Sequence, residues 1–405
     1  MKDVVIVGAG PVGLTVAEIL GNEGYNVLVL EKNAELSKEW RASTFHPGTM
    51  ELLEMTGLTE EMIRQGFKAE KIQYRDRKDG LYAEFDLTDL SDTTKYPYRL
   101  QLPQSTYVKI VNESLLKKSN VTVKYNSELI NFTQNEDFVE LTYQSGEEQH
   151  TVQTKFLLGS DGARSTVRKK LELNFEGFTY PQRFLLVGTP IDFRNYLPDI
   201  EYVNYVSDPD EFLFILKVPE AWRLLYPVKD ELSDEEALKD ENLQKQLQKA
   251  LNTTDTFPIV ERMIYRVHQR VAERYYSGRV VLLGDAAHVN SPMGGLGLNS
   301  GIHDAVDLSI RLKRIFENEE NTLIKDELEC YNEARRTVSI NYVKQISEKN
   351  TNVMKETQEE LRKQLQQEYT KMANDKAQAR QWMLRSAMIS SVREQGIGEP
   401  PKVNS

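Results

Sequence analysis

Apolar runs stopped by glycine set the first rhythm of the chain. Residues 4–7 ("VVIV") are uninterrupted, the pattern of a strand buried on both faces of a parallel sheet. Leu14, Val16, Ala17, Ile19 and Leu20 then recur along one side of a helix that Gly24 ends, and "YNVLVLEK" from Tyr25 predicts a second strand. A βαβ unit is expected here. From about Ile72 to Leu100 the pattern loosens, after which Pro103 introduces a helix to about Lys118, and 121–125 and 128–143 predict strands with polar turns. "TKFLLGSDG" at 154–162 predicts another buried strand ending on glycine, followed by a helix with Ser165 as its cap.

Between 184 and 228 the strand-like runs "RFLLVGTPI", "EYVNYVS", "EFLFILKV" and "WRLLYPV" are separated by Pro, Asp and Asn, which predicts a second sheet. Residues 233–251 predict one amphipathic helix, and "GRVVLLGD" at 278–285 returns to the buried-strand style. After residue 298, Ile302, Ala305, Leu308, Leu312 and Ile315 recur at helical spacing. Residues 326 to about 391 predict long charged helices with one packed and one solvated face, and the tail is expected to be irregular.

A length of 405 residues suits two sequential or interleaved domains. The formal net charge of −11 repels nucleic acid and anionic membrane surfaces, so neither is an expected partner. The one cysteine, Cys330, excludes an internal disulfide and fits a reducing, cytoplasmic setting. No window approaches the roughly 18 to 20 apolar residues of a membrane span, and the apolar run after Lys2 and Asp3 is too short for a signal peptide's apolar region. His46, His150, His268, His288 and His303 show no metal-ligand spacing, and no metal is expected.

Gly8, Gly10 and Gly13 form G-x-G-x-x-G between the first strand and its helix, with Pro11 and Val12 in between, and Glu31 closes the second strand just before Lys32. Gly8 permits the tight turn, Gly10 lets a pyrophosphate approach the backbone, and Gly13 lets the helix sit close to the strand. The helix N-terminus faces the anion, and the Glu31 carboxylate suits the hydroxyls of an adenosine ribose. A bound dinucleotide follows, although this motif does not choose between FAD and NAD.

Three separated segments narrow the choice: "GAGPVGL" with Glu31, "GSDGARSTVR" at 159–168, and "GDAAHVNSPMGGLGLNSGIHDA" at 284–305. Their order and spacing resemble the single-component aromatic hydroxylases, the FAD-dependent monooxygenase family of para-hydroxybenzoate hydroxylase with its phenol hydroxylase and tetracycline monooxygenase relatives. The resemblance implies an α/β fold: a Rossmann-like FAD-binding domain with an inserted, mostly β substrate domain and C-terminal helices. The expected division is 1–71, 101–178 and 270–325 for FAD, 72–100 and 179–269 for substrate, and 326–405 for the helical region.

The same resemblance implies roles. Asp161, with Arg164 and Arg168, belongs near the pyrophosphate and the entry of the nicotinamide cofactor, and Asp285 on the ribityl hydroxyls. Pro292, Gly295, Gly297, Leu298 and Asn299 belong along the flavin edge, where a helix N-terminus at 298–299 would favour developing negative charge. Arg41 and Gln104 match further cofactor-contacting positions, while Phe45-His46-Pro47-Gly48 departs from relatives that often carry another arginine there. NADPH or NADH reduces the FAD and leaves, O2 reacts to give a C4a-hydroperoxide, and a small aromatic substrate is hydroxylated. A phenolic substrate calls for a base or proton relay, for which Tyr202, Tyr205, Tyr226 and His46 are candidates. Arg223 is a candidate partner for a substrate carboxylate. The tyrosines suit strand core equally well, and His288 suits a structural hydrogen bond.

Other chemistry on this scaffold stays open, namely Baeyer-Villiger oxygenation or epoxidation of a polycyclic or alkenyl substrate. So does a non-catalytic, redox-sensing flavin module. The enzyme itself is expected to be a monomer or homodimer. Halogenation is disfavoured, since Trp40, Trp222 and Trp382 are too far apart for the W-x-W-x-I-P segment of flavin halogenases.

Overall fold

The strand Lys2–Val7 is apolar on both sides because it runs between two parallel neighbours, Val27–Leu30 and Glu148–Gly159. The computed structural model describes residues 1–208, 211–291, 294–318, 321–343 and 359–399, and among them three sheets form. In the first, Val280–Leu282 lies parallel to Glu148–Gly159 on its other side, and Val121–Lys124 lies beyond Val27–Leu30. Helix Pro11–Asn22 connects the first two strands, giving the expected βαβ unit with Gly24 in a left-handed turn after it. Val7, Gly159 and Leu282 are paired in one row across the sheet, so the chain leaves it at one level after all three strands.

The second sheet runs in the order His288–Val289, Glu261–Ala272, Phe175–Thr189, Trp222–Val228, Leu213–Lys217, Val203–Ser207, Lys71–Asp76, Gly80–Asp86. Its strands alternate. Leu185, Val187, Leu224 and Tyr226 pack one face against Leu243, Leu247 and Leu251 of helix Asp240–Leu251. Phe184, Leu186, Tyr205 and Leu225 pack on the other face with Tyr369, Trp382 and Met383 from helices Glu359–Asn374 and Lys376–Ser386. A small third sheet joins Thr44–Phe45, Arg99–Gln101 and Phe67–Ala69.

Three expectations need correction. The loosened stretch after Ile72 contains a hairpin, Lys71–Asp76 with Gly80–Asp86, whose buried Gln73 and Arg75 hide the apolar signal; Arg75 is held by Asp199 in a two-pronged contact at 2.9 Å. The single helix expected at 233–251 is two, Asp234–Ala237 and Asp240–Leu251. A Ser233–Glu236 capping box starts the first of them. Helix Leu296–Asn318 begins two residues earlier than the periodicity placed it.

A buried charge network fixes that helix. Asp304 is fully buried; its Oδ2 accepts from the Gly284 amide at 3.0 Å and from His288 Nε2 at 2.6 Å, and its Oδ1 from Arg335 Nε at 2.8 Å. Burial pushes the Asp304 carboxyl up, but His288 and Arg335 outweigh it and leave the pKa below its ordinary value. Breaking one side of a buried pair costs about 3–5 kcal/mol, because the remaining charge stays out of water. Arg335→Met is therefore expected to lower unfolding free energy by about that much at neutral pH in urea titrations. A depressed folded-state pKa stabilises above the unfolded aspartate value of about 3.9, and that stability is lost as pH falls through the folded value. The deficit of the variant should shrink as acid protonates Asp304, and a pH-independent deficit would contradict the charge argument.

Candidate active site

The three glycine-containing segments meet where the row Val7–Gly159–Leu282 ends. Gly8 has φ +106, and a Cβ there would lie 2.5 Å from the Ser160 carbonyl oxygen. A Cβ on Gly13 would collide with the Gly8 carbonyl and the Ser160 hydroxyl, which itself donates to the Val7 and Gly8 carbonyls at 3.0 and 3.1 Å. Gly10 differs: a Cβ there would meet nothing within 4 Å. It is the N-cap of Pro11–Asn22, without a side-chain cap and without an acidic residue in the first turn. Open space in front of uncapped amides is what an approaching pyrophosphate needs. Val12 turns the other way and touches Gly284 and Gly301, where a Cβ would come within 2.9 and 2.6 Å of it.

Glu31 stands at the rim. Its Oε2 accepts from the Ala9 amide at 2.9 Å, and its Oε1 from the amide and side chain of Asn33. Lys32 beside it is exposed. Ser165 is the N-cap of helix Thr166–Lys170, and Asp161 backs it, accepting from Ser165 Oγ at 2.5 Å and Thr166 N at 2.6 Å. Arg168 braces two segments, donating to the carbonyls of Ala286 and Ala163 at 2.7 Å each.

Asp285 sits across the groove with a different character. Among the described residues no hydrogen bond ends on its carboxylate, and it is open to solvent. Protein nonetheless surrounds it closely enough that desolvation raises its pKa against the pull of His288 and Arg41. Arg41 holds a left-handed φ of +43, with its side chain on Glu39 and its carbonyl accepting from Arg223. Gln104 opens the helix Gln104–Leu115, its amide donating to the Ala42 carbonyl at 2.8 Å. An unpartnered carboxylate on one turn and uncapped helical amides on the turn packed beside it fit the sugar-alcohol chain and pyrophosphate of FAD.

Pro292 lies outside the described residues. Gly295, with φ +67, packs its α-carbon against Thr44 and His46, and Gly297 and Leu298 fall in the first turn of Leu296–Asn318. Asn299 is buried and ties this loop down: its Oδ1 accepts from the His46 amide at 2.9 Å, and its Nδ2 donates to the carbonyls of Thr44 and Gly295. His46 Nε2 donates to the Gly294 carbonyl at 2.8 Å. Burial, then the neighbouring Arg99, hold the His46 pKa well below its ordinary value, so the ring is neutral.

The substrate-side candidates separate. Tyr205 lies beside this group, its hydroxyl 3.4 Å from Arg99 Nη1 and its ring stacked on Tyr74 at 5.0 Å. Tyr202 stacks on Phe67 at 5.7 Å. Tyr226 faces the opposite side of the sheet. The guanidinium of Arg223 is committed to Glu261 through two hydrogen bonds of 2.8 and 2.6 Å, and to Arg41 and Ser43. It anchors the second sheet to the 41–43 segment, with four of its five N–H donors engaged and its charge matched by Glu261. Arg99, Gln101, Thr44 and Ser386 were not singled out from the sequence. The alternation in "RLQL" at 99–102 carried the signal, since it puts Arg99 and Gln101 on one strand face.

Gly10→Ala is expected to leave the apoprotein melting temperature nearly unchanged, because φ is −78 and the space is open, while FAD affinity falls about tenfold or more. Asp285→Ala should weaken FAD binding by about 10- to 100-fold through loss of a charge-assisted acceptor. Flavin fluorescence titration of apoprotein reads both, and full affinity in either variant would contradict the assigned groove.

The family described as an FAD binding domain matches residues 1–346. The chain is 33% identical over 387 residues, 95% of each chain, to para-nitrophenol 4-monooxygenase of Pseudomonas sp. (strain WBC-3). It is 32% identical, over 81% of this chain and 83% of the relative, to a 6-hydroxy-3-succinoylpyridine 3-monooxygenase of Pseudomonas putida. The crystal structure of p-nitrophenol 4-monooxygenase from Pseudomonas putida DLL-E4 superposes with a TM-score of 0.89 at 30% identity, covering 96% of this chain and 98% of that one. The flavin-dependent monooxygenase PieE, at 20% identity and a TM-score of 0.81 over 100% and 75% of the two chains, shares the fold.

Proposed function

The chain belongs to the FAD binding domain family and is an FAD-dependent aromatic monooxygenase that uses NAD(P)H, and from that premise we propose that it hydroxylates a small phenol in a chamber between the 294–299 loop and the second sheet. The observation that carries this reading is the meeting of His46, Arg99 and Tyr205 beside Gly294–Gly295. Bound FAD supplies the electrons taken from NAD(P)H and the activation of O2. Gly8, Gly10, Pro11 and Gly13 receive its pyrophosphate, Glu31 and Lys32 its adenosine end, Asp285 its ribityl chain, and the loop from Gly295 to Asn299 its ring. Arg41, Gln104 and Asp161 complete the groove.

The second sheet and its helices form the substrate domain and exclude water from the chamber. The Tyr205 hydroxyl is the proton acceptor we assign to the substrate hydroxyl. It lies in a cluster with Tyr74 and Tyr369, whose ring centroids are 4.5 Å apart. Burial raises the Tyr74 pKa and pushes that of Tyr369 up to about 12, so these rings hold their protons at neutral pH and pass them as neutral hydroxyls.

A second feature suits the nicotinamide cofactor. Arg164, Arg266 and Arg270 crowd His268, which burial and then these arginines depress, and none of the three forms an ion pair with the described residues. In a chain of net charge −11 this unbalanced patch beside the 159–168 segment favours a phosphate-rich visitor. Among the described residues no helix is long and apolar enough to cross a membrane; a requirement for NAD(P)H suits a cytoplasmic enzyme, acting as a monomer or homodimer.

Mixing the yellow protein with NADH or NADPH and 4-nitrophenol or related phenols under air tests the reading. The expected result is substrate-stimulated NAD(P)H oxidation coupled to an oxygenated product, and absence of flavin reduction under every condition would sink it. Arg266→Glu is expected to raise the KM for NAD(P)H several-fold, more at low salt, with FAD content unchanged. A salt-independent or absent effect would remove the patch from cofactor docking.

A further inference from the structure

Arg99 is a buried cation without a carboxylate. It is 3% exposed, and it forms no ion pair with the described residues. Nη2 donates to the Ser386 hydroxyl at 2.6 Å, Nη1 reaches the Tyr205 hydroxyl at 3.4 Å, and Nε has no partner. A guanidinium taken out of water is costly, and neutral hydroxyls return only part of that cost. A ligand that brings negative charge would return the rest.

The neighbours define that ligand. Thr44 pairs with Gln101 and Phe45 with Leu100, so His46 comes next opposite Arg99, on the same face as Gln101. Gln101 Nε2 and His46 Nδ1 are also buried without partners. Because His46 is neutral and its Nε2 donates to Gly294, its Nδ1 carries a lone pair. An oxyanion is repelled there and drawn to the free donors of Arg99 and Gln101.

We propose that Arg99 anchors the substrate, pairing with an anionic oxygen carried on its aromatic ring; the assignment rests on the functional reading above. That oxygen comes from the ring hydroxyl, ionised, or from a carboxylate substituent. The anchor is aimed by the C-terminal helices. Ser386 closes helix Lys376–Ser386, and the next residues are keyed to the His46 turn through Gly48, whose amide donates to the Ala387 carbonyl at 3.0 Å. A side chain at 48 would come within 2.7 Å of the Met388 carbonyl, so the glycine is what admits the segment that holds Arg99.

Holoenzyme is titrated with 4-nitrophenol at a pH where it is ionised, with 4-nitroanisole as its uncharged methyl ether, and with benzoate as a carboxylate lacking the hydroxyl. Perturbation of the flavin absorbance reports binding. The wild type is expected to hold nitrophenolate at least about tenfold more tightly than the anisole, a difference of about 1.4 kcal/mol. Arg99→Met should erase that preference without weakening the anisole. An Arg99-dependent preference for benzoate instead supports the anchor and assigns the oxyanion to a carboxylate. If Arg99→Met loses FAD or melts early, Arg99→Gln, which keeps a hydrogen bond to Ser386 but no charge, carries the same test. A preference like that of the wild type in a folded, flavin-loaded variant overturns the anchor. A wild type that binds none of the three overturns the functional reading and the anchor with it.

Discussion

Val7, Gly159 and Leu282 stand side by side across the first sheet, and every part of the groove depends on that register. Three segments more than a hundred residues apart leave the sheet from one row, so their turns must crowd. Crowding explains why Gly8 and Gly13 cannot carry a side chain against Ser160, and why Val12 fits only against glycine at 284 and 301. A slip of one residue would move each turn by about 3.3 Å and reverse its faces. The uncapped helix end and Asp285 would then no longer stand on adjoining turns. The buried Asp304 holds the Gly284 amide at this register from behind, and Arg335 extends the hold into helix Asn321–Val338.

Where periodicity and local chemistry agree, the sequence was readable. The βαβ unit, the Ser165 cap and the strands between 175 and 228 needed only apolar runs, glycine and a hydroxyl at the right offset. The hairpin at 71–86 was not, because Gln73 and Arg75 are buried by partners more than a hundred residues away, and polar letters suggest solvent. The crowding at Gly8 and Gly13 was legible because residue type and spacing alone call for glycine there. Arg223 was misjudged for the opposite reason: nothing local announces that Glu261 occupies its fork.

The C-terminal helices show the same limit. Their composition is charged, and only one narrow stripe is apolar, which is compatible with many partners. In the fold that stripe supplies Tyr369, Trp382 and Met383 to one face of the second sheet, with Trp382 stacked on Phe85 at 3.9 Å. Gly48 carries no side chain, and the space this leaves is taken by the backbone at 387–388. The glycine at 48 and the docking of these helices therefore go together.

Charge around Arg99 follows from this packing. Burial keeps His46 uncharged, the Tyr74 and Tyr369 hydroxyls hold their protons, and His303 behind them is depressed to about 3 by burial and then Arg335. Arg99 is thus left as the fixed charge among these groups, and it is positive. A neutral aromatic entering such a space leaves the guanidinium uncompensated, whereas an ionised one neutralises it without introducing water. Low dielectric strengthens that distinction. The same burial that makes an uncompensated Arg99 costly thus makes it selective, because Coulombic attraction between Arg99 and an oxyanion is screened least where neither touches solvent.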